Sequence, residues 1–130
     1  MQALIVDAWV LVATEVGGGR LGAGLAGVLA AGDYLNHAVL EVHELEGAYR
    51  RLVGYGLVLV EVAPLVMRLT DAGGALLARA AGKDHVVTTF TNVPRELVAW
   101  YAGREPMLGI PTIDWAAERA LALAASGGSR

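Results

Sequence analysis

Two histidines near the middle of the chain have the residue type and the neighbours that could hold a metal ion. His37 and His43 are six residues apart, and Glu41 and Glu44 lie close to them. Zinc binds imidazole nitrogens and carboxylate oxygens. Two histidine ligands on one helix face, however, need a spacing of about four residues, as in the pattern HExxH, which this sequence lacks. We therefore predict no metal site, and we interpret the two histidines as a turn residue and a surface residue.

The sequence also offers little for catalysis. Asp33 and His37 are four residues apart, but the only serines, Ser126 and Ser129, lie near the C-terminus, and there is no cysteine. Nucleophilic catalysis needs the nucleophile beside its base. The glycine-rich segment 17–24 lacks the GxxxxGK[ST] spacing of a phosphate-binding loop. We therefore predict that the chain is not an enzyme and binds no cofactor.

The composition is that of a folded, apolar chain of one domain's length. Its 130 residues are 55% hydrophobic and 18% charged, with 10 Lys+Arg against 13 Asp+Glu and no cysteine. This excludes a disordered chain, a disulfide scaffold and a strongly basic nucleic-acid coat. The longest uncharged stretch, Leu21–Gly32, has 12 residues, whereas a membrane-spanning helix needs about 20. No basic region precedes Asp7, as a signal peptide would require. We therefore expect a soluble cytoplasmic protein.

Apolar periodicity predicts three helices in the first half of the chain. The first runs from Gln2 to Val16, and the glycines at 17–19 end it and form a flexible connection. The second spans about Gly22 to Ala31 and is joined by the connecting stretch Gly32–Glu41 to the third, from about Val42 to Val53. The expected inner faces are Ile5, Trp9, Val12 and Val16 on the first helix, Leu21, Leu25, Val28 and Leu29 on the second, and Leu45, Ala48, Tyr49, Leu52 and Val53 on the third.

A hairpin and a fourth helix are predicted next. Leu57–Val62 and Leu65–Leu69 are short and apolar, and the turn signal Ala63-Pro64 separates them. Thr70 is a favourable N-cap for a helix that ends near Gly82.

The C-terminal third is predicted to contain an extended stretch at 85–91 and two helices. One helix runs from Asn92 to about Gly103, and Thr112 caps the last one. The inner face of that last helix is expected to carry Ile113, Ala117, Ala120, Leu121 and Ala124.

Two segments resemble the winged helix-turn-helix domains of bacterial regulators, including the multiple-antibiotic-resistance repressor type. They are HELEGAYRRLVGYGLV, which resembles a recognition helix entering the first wing strand, and RLTDAGGALLA, which resembles the second wing strand with the following helix. The resemblance covers roughly Ala3 to Ala81. It implies a mostly α fold with a small β-hairpin, in which residues 1–82 form a winged-helix domain and residues 83–130 form a helical extension packed on the same core.

The resemblance also implies a transcription-regulator-like protein that binds double-stranded DNA. In such domains the recognition helix enters the major groove, and basic residues near the wing contact the phosphates. The residues that would do so here are His43, Gly47, Arg50 and Arg51 of the third helix and Arg68 near the wing.

The charge pattern argues against DNA binding. Glu41, Glu44 and Glu46 stand at the start of the third helix, and the expected wing turn, 61–64, contains no lysine or arginine. DNA affinity depends on neutralising phosphates, and dimerisation could gather Arg20, Arg50, Arg51 and Arg68 into a basic patch that would keep DNA binding possible. The alternative is a winged-helix protein-interaction module that does not bind DNA.

The tryptophans indicate where such contacts could form. Trp9 is expected in the core, whereas Trp100 and Trp115 either fill the core or form a surface that contacts another subunit or a protein partner, as the wing also could. Because so weakly charged a chain is expected to cover its apolar patches, we predict a homo-oligomer, most simply a homodimer.

Overall fold

A computed structural model describes residues 2–84 and 88–127 of the chain. Within these residues the protein is mostly helical, with six α-helices and a small three-stranded antiparallel sheet. The elements in chain order are α1 (Ala3–Gly17), β1 (Ala23–Gly24), α2 (Leu25–Asn36), α3 (Val42–Gly54), β2 (Val58–Glu61), β3 (Val66–Leu69), α4 (Asp71–Ala81), α5 (Asn92–Tyr101) and α6 (Trp115–Gly127).

Helix α1 is the central element of the core. Its residues Val6–Thr14 are all buried, and α2, α3 and α5 pack around it. The indole Nε1 of Trp9 donates a hydrogen bond of 2.8 Å to the carbonyl oxygen of Gly32 in α2, which confirms Trp9 as a core residue. No helix in the described part of the chain is both long enough and apolar enough to cross a membrane.

The glycines after α1 permit close packing. A β-carbon at Gly17 would lie 3.1 Å from the carbonyl carbon of Gly27 in α2, and one at Gly18 would lie 2.2 Å from the carbonyl oxygen of Gly22. Glycine is therefore needed here because two backbones meet. The segment connects the packed helices α1 and α2 as predicted, through a tight corner with a short 3₁₀ turn at Gly19–Leu21.

Helix α2 starts and ends later than the sequence predicted. Ala23 and Gly24 form the edge strand β1, and Leu21, expected on the inner face of the helix, is 90% exposed. The helix continues to Asn36, and His37 ends it in a left-handed conformation with φ of 54°. The connection to α3 is therefore His37–Glu41 rather than the ten-residue stretch that was predicted.

Helix α3 forms as its periodicity predicts. Glu41 and Glu44 make a capping box, in which each side chain accepts a hydrogen bond from the other residue's backbone N–H. Gly56, with φ of +78°, makes the turn into β2. The five residues predicted for the inner face of α3 are all buried: Leu45, Ala48, Tyr49, Leu52 and Val53.

The sheet has the strand order β1-β3-β2. Strands β2 and β3 form the predicted hairpin, with Val58 opposite Leu69 and Glu61 opposite Val66. Strand β1 pairs with the other edge of β3 and was not predicted. Thr70 caps α4 as predicted, since its Oγ1 accepts a hydrogen bond of 3.0 Å from the N–H of Gly73.

The C-terminal helices contribute to the same hydrophobic core as the helices before them. Val93, Leu97 and Trp115 are buried in it, and the ring of Trp115 stacks on that of Tyr49 in α3 with centroids 5.4 Å apart. Of the stretch predicted to be extended, residues 85–87 lie outside the described residues, and Thr89–Thr91 form a turn.

Two predictions about α6 were wrong. Its N-cap is Asp114 rather than Thr112, because Asp114 Oδ1 accepts a hydrogen bond of 3.1 Å from the N–H of Ala117. The helix also presents the opposite face to the core. Trp115 and Ala122 point inward, whereas the residues predicted to be buried are exposed at Ala117, Ala120, Leu121 and Ala124.

Candidate functional site: the α3–hairpin face

The candidate site is the outer side of α3 and of the β2–β3 hairpin that follows it, which we call the α3–hairpin face. On α3 it carries His43, Glu46 and Arg50, which are exposed, and Gly47, which is half-buried. Nη2 of Arg50 donates a hydrogen bond of 2.7 Å to Oε1 of Glu46 one helical turn earlier, as the i, i+4 spacing predicts. The charge of Arg50 is therefore matched within its own helix.

Arg51 points from α3 toward α1 rather than outward. Its Nε lies 3.0 Å from Oδ1 and 2.8 Å from Oδ2 of Asp7, and its Nη2 lies 2.8 Å from Oδ1. Only 1% of the Asp7 side chain is exposed, against 38% of the Arg51 side chain. Tyr101 of α5 completes the cluster, since its hydroxyl donates a hydrogen bond of 2.9 Å to Asp7 Oδ2. Arg51 therefore serves the packing of three helices.

Burial and pairing act in opposite directions on the pKa of the Asp7 carboxyl. Burial raises the pKa of the Asp7 carboxyl above its ordinary value of 3.8, and the bonds from Arg51 and Tyr101 offset only part of that rise. The hydrogen bonds to Asp7 raise the pKa of Arg51 because they stabilise its cation. Burial, followed by the nearby Asp7 carboxylate, raises the pKa of Tyr101. Its phenol therefore remains a donor at neutral pH.

Arg68 on β3 already has two hydrogen-bond partners in this chain. Its Nε donates a hydrogen bond of 2.6 Å to Oε1 of Glu61 on the neighbouring strand, and its Nη1 donates one of 2.6 Å to the carbonyl oxygen of Leu21. The turn between the strands is exposed from Glu61 to Pro64 and contains no basic residue. The hairpin tip is therefore apolar and slightly acidic.

Two further arginines near this region are paired as well. Arg20 forms an ion pair with Asp71 at the start of α4. Arg119 of α6 lies 3.6 Å from a carboxylate oxygen of Glu41 and donates a hydrogen bond of 2.7 Å to the carbonyl oxygen of Leu40. The four arginines that could be gathered for phosphate contact thus each have a carboxylate partner in this chain: Arg20, Arg50, Arg51 and Arg68.

Sequence reasoning missed the role of Asp7. The available signal was one carboxylate within an otherwise apolar helix, at a position where neighbouring residues are buried on both sides. A buried carboxylate needs a partner of opposite charge or several donors. Its partner Arg51 is 44 residues away in the chain, so no local pattern connects the two.

The tryptophan surface suggested for protein contact is only partly exposed. Trp115 is 5% exposed and belongs to the core, so it cannot act as a contact residue. Trp100 donates an Nε1 hydrogen bond of 2.8 Å to the carbonyl oxygen of Tyr55, and the guanidinium carbon of Arg104 lies 3.7 Å above its ring centroid. An open cleft of about 570 Å³ lies beside them, lined by Gly54, Tyr55, Gly56, Gly103, Arg104, Glu105, Met107 and Leu108.

No protein-family model, curated protein or solved structure matches this chain. The interpretation of the α3–hairpin face therefore depends on its own geometry. Among the residues that the structure describes, no group of three or more His, Cys, Asp or Glu side chains is arranged to hold a metal ion. What the face can offer is hydrogen bonding, apolar contact and paired charges.

Proposed function

We propose that the chain is a winged-helix protein-interaction module whose partner is another protein rather than duplex DNA. The element order α1-β1-α2-α3-β2-β3 and the strand order β1-β3-β2 support the winged-helix part of the proposal, together with the sequence resemblance. Fold alone does not determine function, so the charges of the α3–hairpin face have to decide between the two partners.

The pairing of the arginines favours a protein partner over DNA. Arg50, Arg51 and Arg68, the three cations that would meet phosphates, each form an ion pair with a carboxylate of the same chain. DNA affinity comes largely from cations that release the counterions of the phosphates. An arginine that keeps its own carboxylate brings that negative charge toward the DNA and gains little.

Arg51 is the least available of the three. Turning it outward would leave the Asp7 carboxylate buried without its counter-charge, and losing one partner of a buried pair costs about 3–5 kcal/mol. Arg50 and Arg68 have exposed partners that are easier to leave, but Glu46 and Glu61 would then face the phosphates. These three pairs therefore present no net positive charge to a polyanion, whether they are intact or broken.

The hairpin has properties that suit a protein partner. Leu59 on β2 and Val62 in the turn are about half exposed, and Leu21 beside β3 is 90% exposed. Protein interfaces combine an apolar centre with a polar rim. Here the exposed apolar side chains would supply the centre and the Glu61–Arg68 pair would supply part of the rim.

The test is fluorescence anisotropy of a labelled mixed-sequence duplex titrated with the wild-type chain at low salt. We expect no saturable rise in anisotropy. Saturable binding that weakens steeply as salt is added would overturn the proposal and favour a DNA-binding, transcription-regulator-like function. That second candidate is supported by the element order and by the exposure of His43 and Arg50.

The oligomeric state of the protein stays a prediction. We propose a homodimer, and light scattering on the full chain at high concentration tests it. The mass of a dimer is expected, and a mass of one chain at every concentration would contradict it.

A further inference from the structure

We infer that Glu46, Glu61 and Asp71 are the specificity-determining residues that exclude duplex DNA from the α3–hairpin face. The inference rests on the proposed function and names the side chains responsible for it. Each of the three carboxylates binds one exposed arginine of the face or of its immediate surroundings. The pairs are Arg50 with Glu46, Arg68 with Glu61 and Arg20 with Asp71.

The three carboxylates occupy the places that phosphate oxygens would need. Oε1 of Glu46 lies 2.7 Å from Nη2 of Arg50, and Oε1 of Glu61 lies 2.6 Å from Nε of Arg68. These are the distances at which an arginine N–H binds a phosphate oxygen. A bound carboxylate therefore blocks the same donor and cancels the same charge.

Because these ion pairs are exposed, the arginine of each pair stays accessible when its acid is replaced. The side chains of Arg20 and Arg50 are each 66% exposed, and that of Arg68 is 36% exposed. Exposed ion pairs contribute little to stability, so replacing the acid by its amide leaves a folded protein whose arginine has lost its carboxylate counter-charge. The Arg51–Asp7 pair differs because its acid is buried, and it is left intact in the test.

Arg20 and Arg68 belong to one local cluster. Arg68 donates to the carbonyl oxygen of Leu21, the residue next to Arg20 in the chain. Freeing both arginines therefore creates two neighbouring cations beside the sheet, whereas freeing Arg50 adds a separate cation on α3. Neighbouring cations such as Arg20 and Arg68 are what a phosphate backbone requires.

The experiment compares two triple variants of equal net charge. The face variant is Glu46→Gln, Glu61→Gln and Asp71→Asn. The control variant is Glu96→Gln, Glu105→Gln and Glu118→Gln, which removes three carboxylates from α5, the following loop and α6. Glu96 is a matched residue because it pairs with Arg79 at 3.1 Å, away from α3 and the hairpin. Circular dichroism and thermal melting establish that both variants are folded.

Anisotropy with the mixed-sequence duplex is then measured for wild type and both variants across salt concentrations. For the face variant we expect binding whose log K falls with log salt at a slope of about −2.7, because each of three neutralised phosphates contributes about −0.9. That slope corresponds to roughly a 40-fold loss of affinity for a four-fold rise in salt. Wild type and the control variant are expected to bind no DNA.

Each other outcome has a definite meaning. No binding by any of the three proteins, or equal gains in both variants, overturns the inference and leaves the proposed function standing. Binding by wild type overturns the proposed function together with the inference.

Discussion

Arg51 of α3 holds the carboxylate of Asp7 in α1 through three contacts of 2.8–3.0 Å, in the only described ion pair whose acid is fully buried. Arg51 was predicted to contact DNA, but in the structure it joins α3 to α1. The hydroxyl of Tyr101 on the same carboxylate ties α5 to the pair.

Replacing Arg51 by alanine is expected to lower the free energy of unfolding by roughly 3 kcal/mol, because it leaves the Asp7 carboxylate buried without its cation. Arg50→Ala is the matched control. It removes the adjacent arginine of the same helix, whose partner Glu46 is exposed, and should change stability by less than about 1 kcal/mol. Urea denaturation of both variants measures the difference, and equal losses would contradict the role given to Arg51.

The stability that Asp7 contributes should depend on pH. Because the pKa of Asp7 is raised in the folded protein, the folded state binds more protons than the unfolded state between pH 3.8 and the raised pKa. The contribution is therefore fully present below pH 3.8 and is lost as pH rises through the raised pKa. Urea denaturation of wild type and Asp7→Asn at a series of pH values measures it. The stability of wild type relative to the variant should fall as pH rises, and a rise instead would mean that pairing with Arg51 outweighs burial.

A second buried contact between α1 and α3 is expected to behave as a coupled pair. The hydroxyl oxygens of Thr14 and Tyr49 lie 2.7 Å apart, and both residues are fully buried. Either Thr14→Val or Tyr49→Phe leaves one partner short of a hydrogen bond and should cost about 1–3 kcal/mol. The double variant should cost less than the sum of the two, as a double-mutant cycle by chemical denaturation would measure. Strict additivity would show that the contact is not formed.

Two neighbouring glycines of α4 should respond oppositely to alanine. A β-carbon at Gly73 would lie 2.2 Å from the carbonyl oxygen of Leu57, whereas the nearest atom to one at Gly74 is Arg20 Cδ at 3.9 Å. Gly73→Ala is therefore expected to destabilise by about 1–3 kcal/mol through overpacking. Gly74→Ala should stabilise by up to about 1 kcal/mol, because alanine favours helix. Thermal unfolding of the two variants measures this difference, and a stable Gly73→Ala protein would contradict the close approach of α4 to Leu57.

Local sequence patterns were sufficient to predict an element where one of its faces meets the core. Helix α3 could be predicted because its apolar residues repeat at helical spacing while charged residues fill much of the other face. Thr70 could be assigned as a cap because its side chain acts within three residues. The β2–β3 hairpin follows from two apolar runs around one turn.

Other features depend on contacts that no local pattern contains. Strand β1 has two residues, Ala23 and Gly24, and becomes a strand only because β3 lies beside it. In α6, alanine and leucine occupy most positions, so several faces are equally apolar. The stacking of Trp115 on Tyr49 selects the inward face. The pairing of Asp7 with Arg51 likewise needs the packing of α1 against α3.

We expect the α3–hairpin face not to take up duplex DNA, and NMR of the isotope-labelled wild-type chain tests this residue by residue. A mixed-sequence duplex is added at low salt while the backbone amides of α3 and the Nε–H groups of Arg50 and Arg68 are followed. We predict that these resonances keep their positions and intensities up to excess duplex. Saturable shifts concentrated at His43, Arg50 and Arg68, and reversed by added salt, would show instead that this face binds DNA.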